Sequence, residues 1–391
     1  MFREFEDKLL AAGLTERSSP VMGFLDASLE WNRDDPVIPI LEEVIQGLSI
    51  NSILFSRPAE PYRTIISYLA RTSGNMICPE DCETRTFLHD LPVCRSMDSR
   101  EIATILKNRK GVILPDVGLI TYGMVSLEQA YVTFSSICFA CFVKFFSDYL
   151  GALRNRYVDE LLKKTFEQVA SMPDPHPSFS AALMKGPFDS EPMVLEAMDE
   201  AGRLTVENRL VDSYFGNISC RLGNTLYISQ TGSSLDNLSG CIDPIPMDGS
   251  SCTGITASSE LDAHLGIIRE TGCNTILHGH PRFSVILSMD CDKAHCEQKG
   301  QCHIRCREER DVCGIPVVPG EVGTGVYGLC NTVPKAIKDH DGVLVYGHGL
   351  FTIGNEDFSK PFFNLFHIEK QCREEYFRRV ADLLSRQSVG H

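Results

Sequence analysis

The segment Asn274 to Pro281, NTILHGHP, decides how this chain is read. The run Asn274 to Leu277 is short, partly β-branched and apolar, which predicts a buried strand leading into His278-Gly279-His280. Side chains at i and i+2 of an extended chain share a face, so the two imidazoles stand side by side, with Gly279 leaving room for other groups. A second segment, Gly342 to Gly354, GVLVYGHGLFTIG, holds another strand from Val343 to Tyr346 that ends in Gly347-His348-Gly349. Three neutral imidazoles converging at strand ends would leave one coordination position open, the arrangement of a catalytic divalent site rather than a closed structural one.

Both segments have a counterpart nearer the N-terminus. Gly111 to Gly123, GVILPDVGLITYG, matches Gly342 to Gly354 at an offset of 231 without a gap, and Asn51 to Pro58, NSILFSRP, lies against Asn274 to Pro281 at an offset of 223. The helices that follow align as well, Cys141 on Cys372 and Phe145 on Tyr376. Two related domains are the simplest account. The four prolines of Met172 to Pro187 disfavour helix or central strand, so the expected domains are 1–170 and 188–391, joined by a linker at 171–187. Where the second copy has His278, His280 and His348, the first has Phe55, Arg57 and Val117. All three imidazoles vanish together while the apolar frame is kept, as loss of a shared ligand role would produce. Residues 1–170 are therefore expected to be a degenerate, non-catalytic copy.

The chain has 391 residues, a length that suits two or three domains. Its 37 Lys and Arg against 52 Asp and Glu give a net charge of −15, which repels polyanions and argues against a nucleic-acid partner. Sixteen cysteines in a chain of this length, behind a charged N-terminus (MFREFEDKLL), fit a reducing cytoplasm better than a disulfide framework. The most apolar stretch, Tyr131 to Leu153, contains Lys144 and Asp148 and reads as a buried helix, not a membrane span.

Upstream of the histidines, Ser258-Ser259-Glu260-Leu261-Asp262 opens an amphipathic helix with Leu261, Leu265 and Ile268 on one stripe. Ser259 and Asp262 form a capping-box pattern, so the helix is expected to start there and to offer free N–H groups to an anion. Glu260 either complements the helix dipole or stands beside a bound ligand. His264 and Tyr376 are either pocket-lining groups or packing residues of their helices. The second copy also carries inserted material, Cys291-x4-Cys296-x5-Cys302-x3-Cys306-x6-Cys313, with His295 and His303. These thiols could hold a structural zinc or an iron–sulfur cluster, or remain inert. The first copy partly echoes them with Cys78, Cys82 and Cys94.

Five motifs now stand in order between Asn208 and Arg379: Gly216-Asn217-Ile218-Ser219, Thr231-Gly232 followed by Ser233 to Leu238, Ser258-Ser259-Glu260, His278-Gly279-His280 and Gly347-His348-Gly349. This stretch resembles the class II aldolase and adducin family, notably the zinc-dependent fuculose-phosphate aldolases. The resemblance implies an α/β (α+β) domain of three layers, α/β/α, with a mostly antiparallel central sheet. It implies that His278, His280 and His348 ligate zinc or another divalent metal. Glu260 then stands at the catalytic acid/base position, where related pentulose-phosphate epimerases have Asp. Gly216, Asn217, Thr231, Gly232, Ser258 and Ser259 form the cradle for a substrate phosphate.

The implied activity is that of a metal-dependent lyase. It would cleave or form a carbon–carbon bond in a small phosphorylated sugar or hydroxy-ketone through an enediolate whose charge the metal holds and whose proton Glu260 moves. Dehydration, epimerisation or decarboxylation on the same site, a non-catalytic adducin-like role and a metal-sensing role are the alternatives. The cysteine insertion is foreign to the simple aldolases. The first copy lacks counterparts of the Gly216-Asn217 and Thr231-Gly232 motifs, and its helix Tyr131 to Leu150 is far more apolar than Phe362 to Ala381, which carries Glu369, Lys370, Arg373, Glu374 and Glu375. That apolar surface suits burial against another domain. With no membrane partner, the expected assembly is a homo-oligomer, a dimer imitating the family's four-domain ring.

Overall fold

The computed structural model describes residues 1–172, 182–211, 214–250, 253–293, 296–306, 308–321 and 325–388, in two compact units, Met1–Asp174 and Pro175–His391. Part of the expected linker lies outside the described residues.

Unit 1 runs α1 (Phe2–Ala11), β1 (Val21–Leu25), β2 (Leu29–Trp31), α2 (Ile38–Gln46), β3 (Ser52–Ser56), α3 (Tyr62–Thr72), β4 (Met76–Ile77), α4 (Cys82–Leu88), β5 (Leu91–Pro92), α5 (Ser99–Leu106), β6 (Gly111–Leu114), β7 (Gly118–Gly123), α6 (Leu127–Arg154) and α7 (Glu160–Ala170). Its main sheet has the order β2-β1-β3-β7-β6, with every adjacent pair antiparallel. The apolar helix α6 is buried, as its composition predicts. Its aromatic residues meet partners within the unit: Tyr131 meets Phe5 of α1, Phe145 meets Tyr68 of α3, and Tyr149 stacks on Phe166 of α7 at 3.6 Å. Helices of its own unit account for that apolarity, which corrects the expectation that it forms a face for another domain.

Unit 2 runs α8 (Glu191–Glu207), β8 (Asn217–Leu222), β9 (Thr225–Ser229), β10 (Ile242–Pro246), α9 (Leu261–Thr271), β11 (Thr275–Gly279), α10 (Arg282–Met289), β12 (Arg310–Val312), β13 (Ile315–Val318), α11 (Leu329–Ile337), β14 (Gly342–Val345), β15 (Gly349–Gly354) and α12 (Ser359–Ser388). Its eight strands lie in the order β10-β9-β8-β11-β15-β14-β13-β12. Only β13 and β14 pair in parallel; the rest are antiparallel, in keeping with the mostly antiparallel sheet expected. One face packs on α9 and α11, where Ile267, Ile268, Val333 and Ile337 join Ile228, Ile276, Val343 and Phe351 in a buried cluster. The other face packs on α12 and α10. The alternation along β11 puts Ile276 and His278 on the α9 side. Helix α9 ends at Gly272, whose left-handed φ of +71° suits glycine.

The five central strands of unit 2 repeat the order, directions and register of unit 1. Phe55 pairs with Ile120 as His278 pairs with Phe351, and Val112 pairs with Ile120 as Val343 pairs with Phe351. Val21 pairs with Phe55 as Asn217 pairs with His278. The hairpin that bears the Gly216-Asn217 motif in unit 2 thus has an equivalent in unit 1, with Val21 in the place of Asn217. Sequence comparison misses it because only the backbone pairing is shared. Val37 and Glu260 likewise each precede a helix, with Leu41 and His264 at its fourth residue.

Candidate metal centre

The two strands set the histidines. His278 lies on β11, and His280 follows it just before α10. His348 sits in the tight turn between β14 and β15. Gly349 is required there, because a Cβ on it would lie 2.5 Å from Gly279 O, 2.7 Å from His278 Cε1 and 2.8 Å from His280 Cδ2. Four hydrogen bonds to two buried side chains fix the segments that bear the rings. The buried Glu369 of α12 accepts from the backbone N–H of Phe283 and Ser284 and from the Ser284 hydroxyl, at 2.8–2.9 Å, which pins the chain directly after His280. The Ser288 hydroxyl accepts from Gly347 N at 2.9 Å, which holds the turn bearing His348.

The three imidazoles are at most 2% exposed, and their ligand nitrogens lie within 4.8 Å of one another. His278 Nδ1 donates to Leu350 O at 3.1 Å, so its Nε2 is left as a lone pair facing the site. His280 Nε2 lies 2.9 Å from that lone pair, while His280 Nδ1 is buried without a hydrogen-bond partner among the described residues. With its proton on Nε2, His280 donates to that lone pair; a cation shared by the two Nε2 atoms would replace this hydrogen bond and shift the proton to Nδ1. Burial keeps two of the rings neutral: His278 is pushed down to about 4 and His280 well below the usual imidazole range, each against the pull of the Glu260 carboxylate.

Glu260 closes the group. Its Oε1 accepts from His348 Nε2 at 2.9 Å, and its Oε2 lies 3.5 Å from His278 Nε2. Burial alone would raise this carboxyl, but His278, His348 and the Asn217 amide together hold it well below the usual carboxylate range. At neutral pH the rings of His278 and His280 are neutral and Glu260 is a carboxylate; the three ring nitrogens fit a divalent cation with a position to spare beside that carboxylate.

A second row of polar groups fixes that carboxylate. Asn217 Nδ2 donates to Glu260 Oε2 at 2.7 Å, and its Oδ1 faces His264 Nε2 at 2.6 Å. His264 must therefore carry its proton on Nε2, which makes Nδ1 the acceptor for the Ser219 hydroxyl at 2.7 Å. Burial pushes His264 down to about 3 and so keeps it neutral. Of the two roles open to His264 from sequence, the structure gives it a polar one, and Ser219 joins it. Tyr376 is fully buried and packs against Phe283 and Phe377.

The residues expected to cradle a phosphate are partly gathered. Thr231 N and Oγ1 donate to Thr256 O and Ala257 O, and Ser258 N donates to Ser229 O, which lays Thr231-Gly232 beside Ser258-Ser259. Thr231, Gly232 and Ser259 are exposed and Ser258 is buried. Gly216 packs under β11, where a Cβ would lie 2.9 Å from His278 O. Asn217 differs from the expectation: both ends of its buried amide are engaged by Glu260 and His264. The helix start also differs. Helix α9 begins at Leu261, and the Ser258 hydroxyl, rather than that of Ser259, accepts from Glu260 N at 3.3 Å. Glu260 takes the cap position with its side chain drawn inward to Asn217 and His348.

The cysteines are not drawn together. Among the described residues the histidine triad is the one group of three or more His, Cys, Asp or Glu placed to share an ion. Cys291, Cys296, Cys302, Cys306 and Cys313 are strung along a turn-rich segment, with Cys302 Sγ toward Gln298 O, Cys306 Sγ toward Glu308 O and Cys313 Sγ toward Gln371 O on α12. Three of the five thiols thus face backbone carbonyls, and among the described residues none of the five joins a group placed to share an ion, against the expectation of a second metal there. His295 lies outside the described residues.

Residues 196–376 match the family model described as Class II Aldolase and Adducin N-terminal domain. This aldolase-type domain takes in the three imidazoles, Glu260 and the Asn217–His264 pair. Among solved structures, the chain is similar to an L-fuculose-1-phosphate aldolase from Thermus thermophilus, at 22% identity over 48% of this chain and 95% of that one, with a TM-score of 0.38. It is also similar to YgbL, a putative aldolase/epimerase/decarboxylase from Klebsiella pneumoniae, at 20% identity over 47% and 88%, with a TM-score of 0.39. A sugar-phosphate aldolase from Thermotoga maritima aligns at 18% identity over 51% and 97%, with a TM-score of 0.36. No curated protein matches the chain in sequence.

Proposed function

We propose that the aldolase-type domain is a divalent-metal lyase that cleaves or forms a carbon–carbon bond in a small phosphorylated hydroxy-ketone. The observation that carries this reading is the convergence of three buried imidazoles on one buried carboxylate. His278, His280 and His348 would hold the ion, for which zinc suits the nitrogen donors. When bound, such an ion supplies Lewis-acid stabilisation of the charge developing on a ketone and its neighbouring hydroxyl.

The chain's own residues do the remainder. Glu260, ionised at neutral pH, takes the proton and returns it. Asn217 and His264 fix the direction in which its carboxylate points. Gly232 and Ser259 would offer backbone N–H groups, and Ser258 and Ser259 their hydroxyls, to a phosphate at the mouth of the site, with Thr231 holding the two segments side by side. Dehydration, epimerisation or decarboxylation would use the same proton carrier, and product analysis separates them.

Unit 1 is, on this reading, a degenerate copy without chemistry. The positions of Asn217, Glu260, His264, His278 and His348 are filled there by Val21, Val37, Leu41, Phe55 and Val117, all of which belong to one apolar cluster. The test is a metal-replete screen of phosphorylated sugars and hydroxy acids against the full chain and Glu260→Gln. Turnover lost with metal content retained supports the proposal, and turnover unchanged in Glu260→Gln removes the proton carrier.

A further inference from the structure

Unit 1 holds a cavity of about 490 Å³, a size suited to a small organic ligand. It lies where the strand register places the histidine site of unit 2: Arg57 and Val117, at the positions of His280 and His348, both line it. The remaining walls come from α3, the turn between β6 and β7, and α7. Helices α3 and α7 are tied by a hydrogen bond from Gln168 Nε2 to Thr64 Oγ1 at 3.3 Å.

The charges on these walls are not balanced. Six charged side chains line the cavity: Arg57, Arg63, Arg71, Lys164, Glu60 and Asp116. Glu60 pairs with Arg63 at 2.9 Å and accepts from Thr64 N at 3.2 Å. Asp116 pairs with Arg71 at 3.0 Å and accepts from the Ser67 hydroxyl at 2.6 Å. Both carboxylates are thereby engaged, and Arg63 is drawn as well to Glu16 at 3.2 Å. Arg57 and Lys164 remain with no ion pair among the described residues. Scattered surface cations are ordinarily just solvated. Here two of them, from different elements, face one concavity in which every acid is already taken, with Leu114, Leu119 and Leu161 as apolar wall.

We propose that unit 1 binds a small phosphate-bearing molecule in this cavity, its phosphate held between Arg57 and Lys164 and its carbon part lying on the leucines. A dianion suits two unpaired cations better than a single carboxylate does, and a guanidinium offers a phosphate two parallel N–H donors. The inference is independent of the chemistry proposed for unit 2. It gives the copy that lacks the imidazoles a binding role of its own.

The test is calorimetric titration of the full chain with inorganic phosphate and with glycerol 3-phosphate. Wild type is compared with Arg57→Glu, Lys164→Glu and Arg57→Lys, and with Ser259→Asp, which places a carboxylate at the unit 2 cradle. Both charge reversals are on exposed side chains and on separate elements, so one folded variant suffices. With the unit 2 cradle blocked by Ser259→Asp, binding persists, and the expected affinity is at least about tenfold weaker when Arg57→Glu or Lys164→Glu is added and largely retained with Arg57→Lys. Glycerol 3-phosphate should bind more tightly than phosphate. Binding abolished by Ser259→Asp and indifferent to Arg57 and Lys164 would overturn the proposal, as would no binding of either probe. Acetate binding as tightly as phosphate would overturn the ligand class.

Discussion

Asn217→Val puts into unit 2 the residue that unit 1 carries at the same register position, and it cuts two buried hydrogen bonds at once. Glu260 Oε2 loses its 2.7 Å donor and His264 Nε2–H loses its 2.6 Å acceptor. Each stranded group costs about 1–3 kcal/mol, more on the charged side, and valine returns about 1 kcal/mol through apolar burial. The net expectation is a destabilisation of about 2–5 kcal/mol. Urea unfolding of metal-free protein measures it: with a slope of about 2 kcal/mol per molar, the midpoint of unit 2 falls by about 1–2.5 M. The chain's single tryptophan, Trp31, lies on β2 of unit 1, so its fluorescence reports that unit while far-ultraviolet circular dichroism reports both. The tryptophan transition should stay in place while the dichroism transition moves. Adding His264→Leu, also the residue of unit 1, removes the partner already stranded, so the double variant should lose about 1–3 kcal/mol less than the sum of the singles. A midpoint shift below about 0.3 M, or strict additivity, would refute a coupled network.

Other outcomes follow from the same geometry. Glu260→Gln should lower turnover about 10²–10⁴-fold with the bound ion still present by elemental analysis, whereas His278→Ala should release the ion. Acid should destabilise metal-free unit 2. His264, His278 and His280 all have folded pKa values below the unfolded value near 6.5, so their contribution is complete above that pH and lost as pH falls toward the folded values. Three such groups remove about 4 kcal/mol between pH 7.5 and 5.5, and a chemical-denaturation series across that range that stays flat would exclude neutral buried rings. Glu369→Leu strands the Phe283 and Ser284 N–H groups and should cost about 2–5 kcal/mol and weaken metal binding through His280, as read by metal competition with a chelator.

Much of this was legible before any coordinates. The offsets of 231 and 223 anticipate the register pairs Val112–Ile120 with Val343–Phe351 and Phe55–Ile120 with His278–Phe351, because an ungapped apolar match between strands leaves the pairing little freedom. The i, i+2 spacing of His278 and His280 was enough to put two rings on one face. The partners of Glu260 were not legible, since Asn217, His278 and His348 reach it from 43, 18 and 88 residues away and nothing local encodes that meeting. Glu369 carries a signal in the sequence: it falls on the stripe of Phe362, Leu365, Cys372 and Tyr376, where a charge on a buried face calls for a dedicated partner. The helix start was misplaced by the Ser259–Asp262 pattern, because a cap that also serves a buried site answers to that site first. The cysteine spacing carried no such long-range constraint, and Cys302 and Cys306 face backbone carbonyls four and two residues away.

Gly349 and its counterpart Gly118 leave one more consequence. A methyl on Gly118 would come within 2.7 Å of Ser56 O and 2.9 Å of Phe55 Cε2, so the crowding at this crossing persists where no imidazole is present. The tight approach of the two strands therefore belongs to the scaffold and not to the chemistry mounted on it. An apolar cluster and a histidine-bearing polar site are in this chain two decorations of one trace, and exchanging the first for the second asks for new side chains but no new path for the backbone.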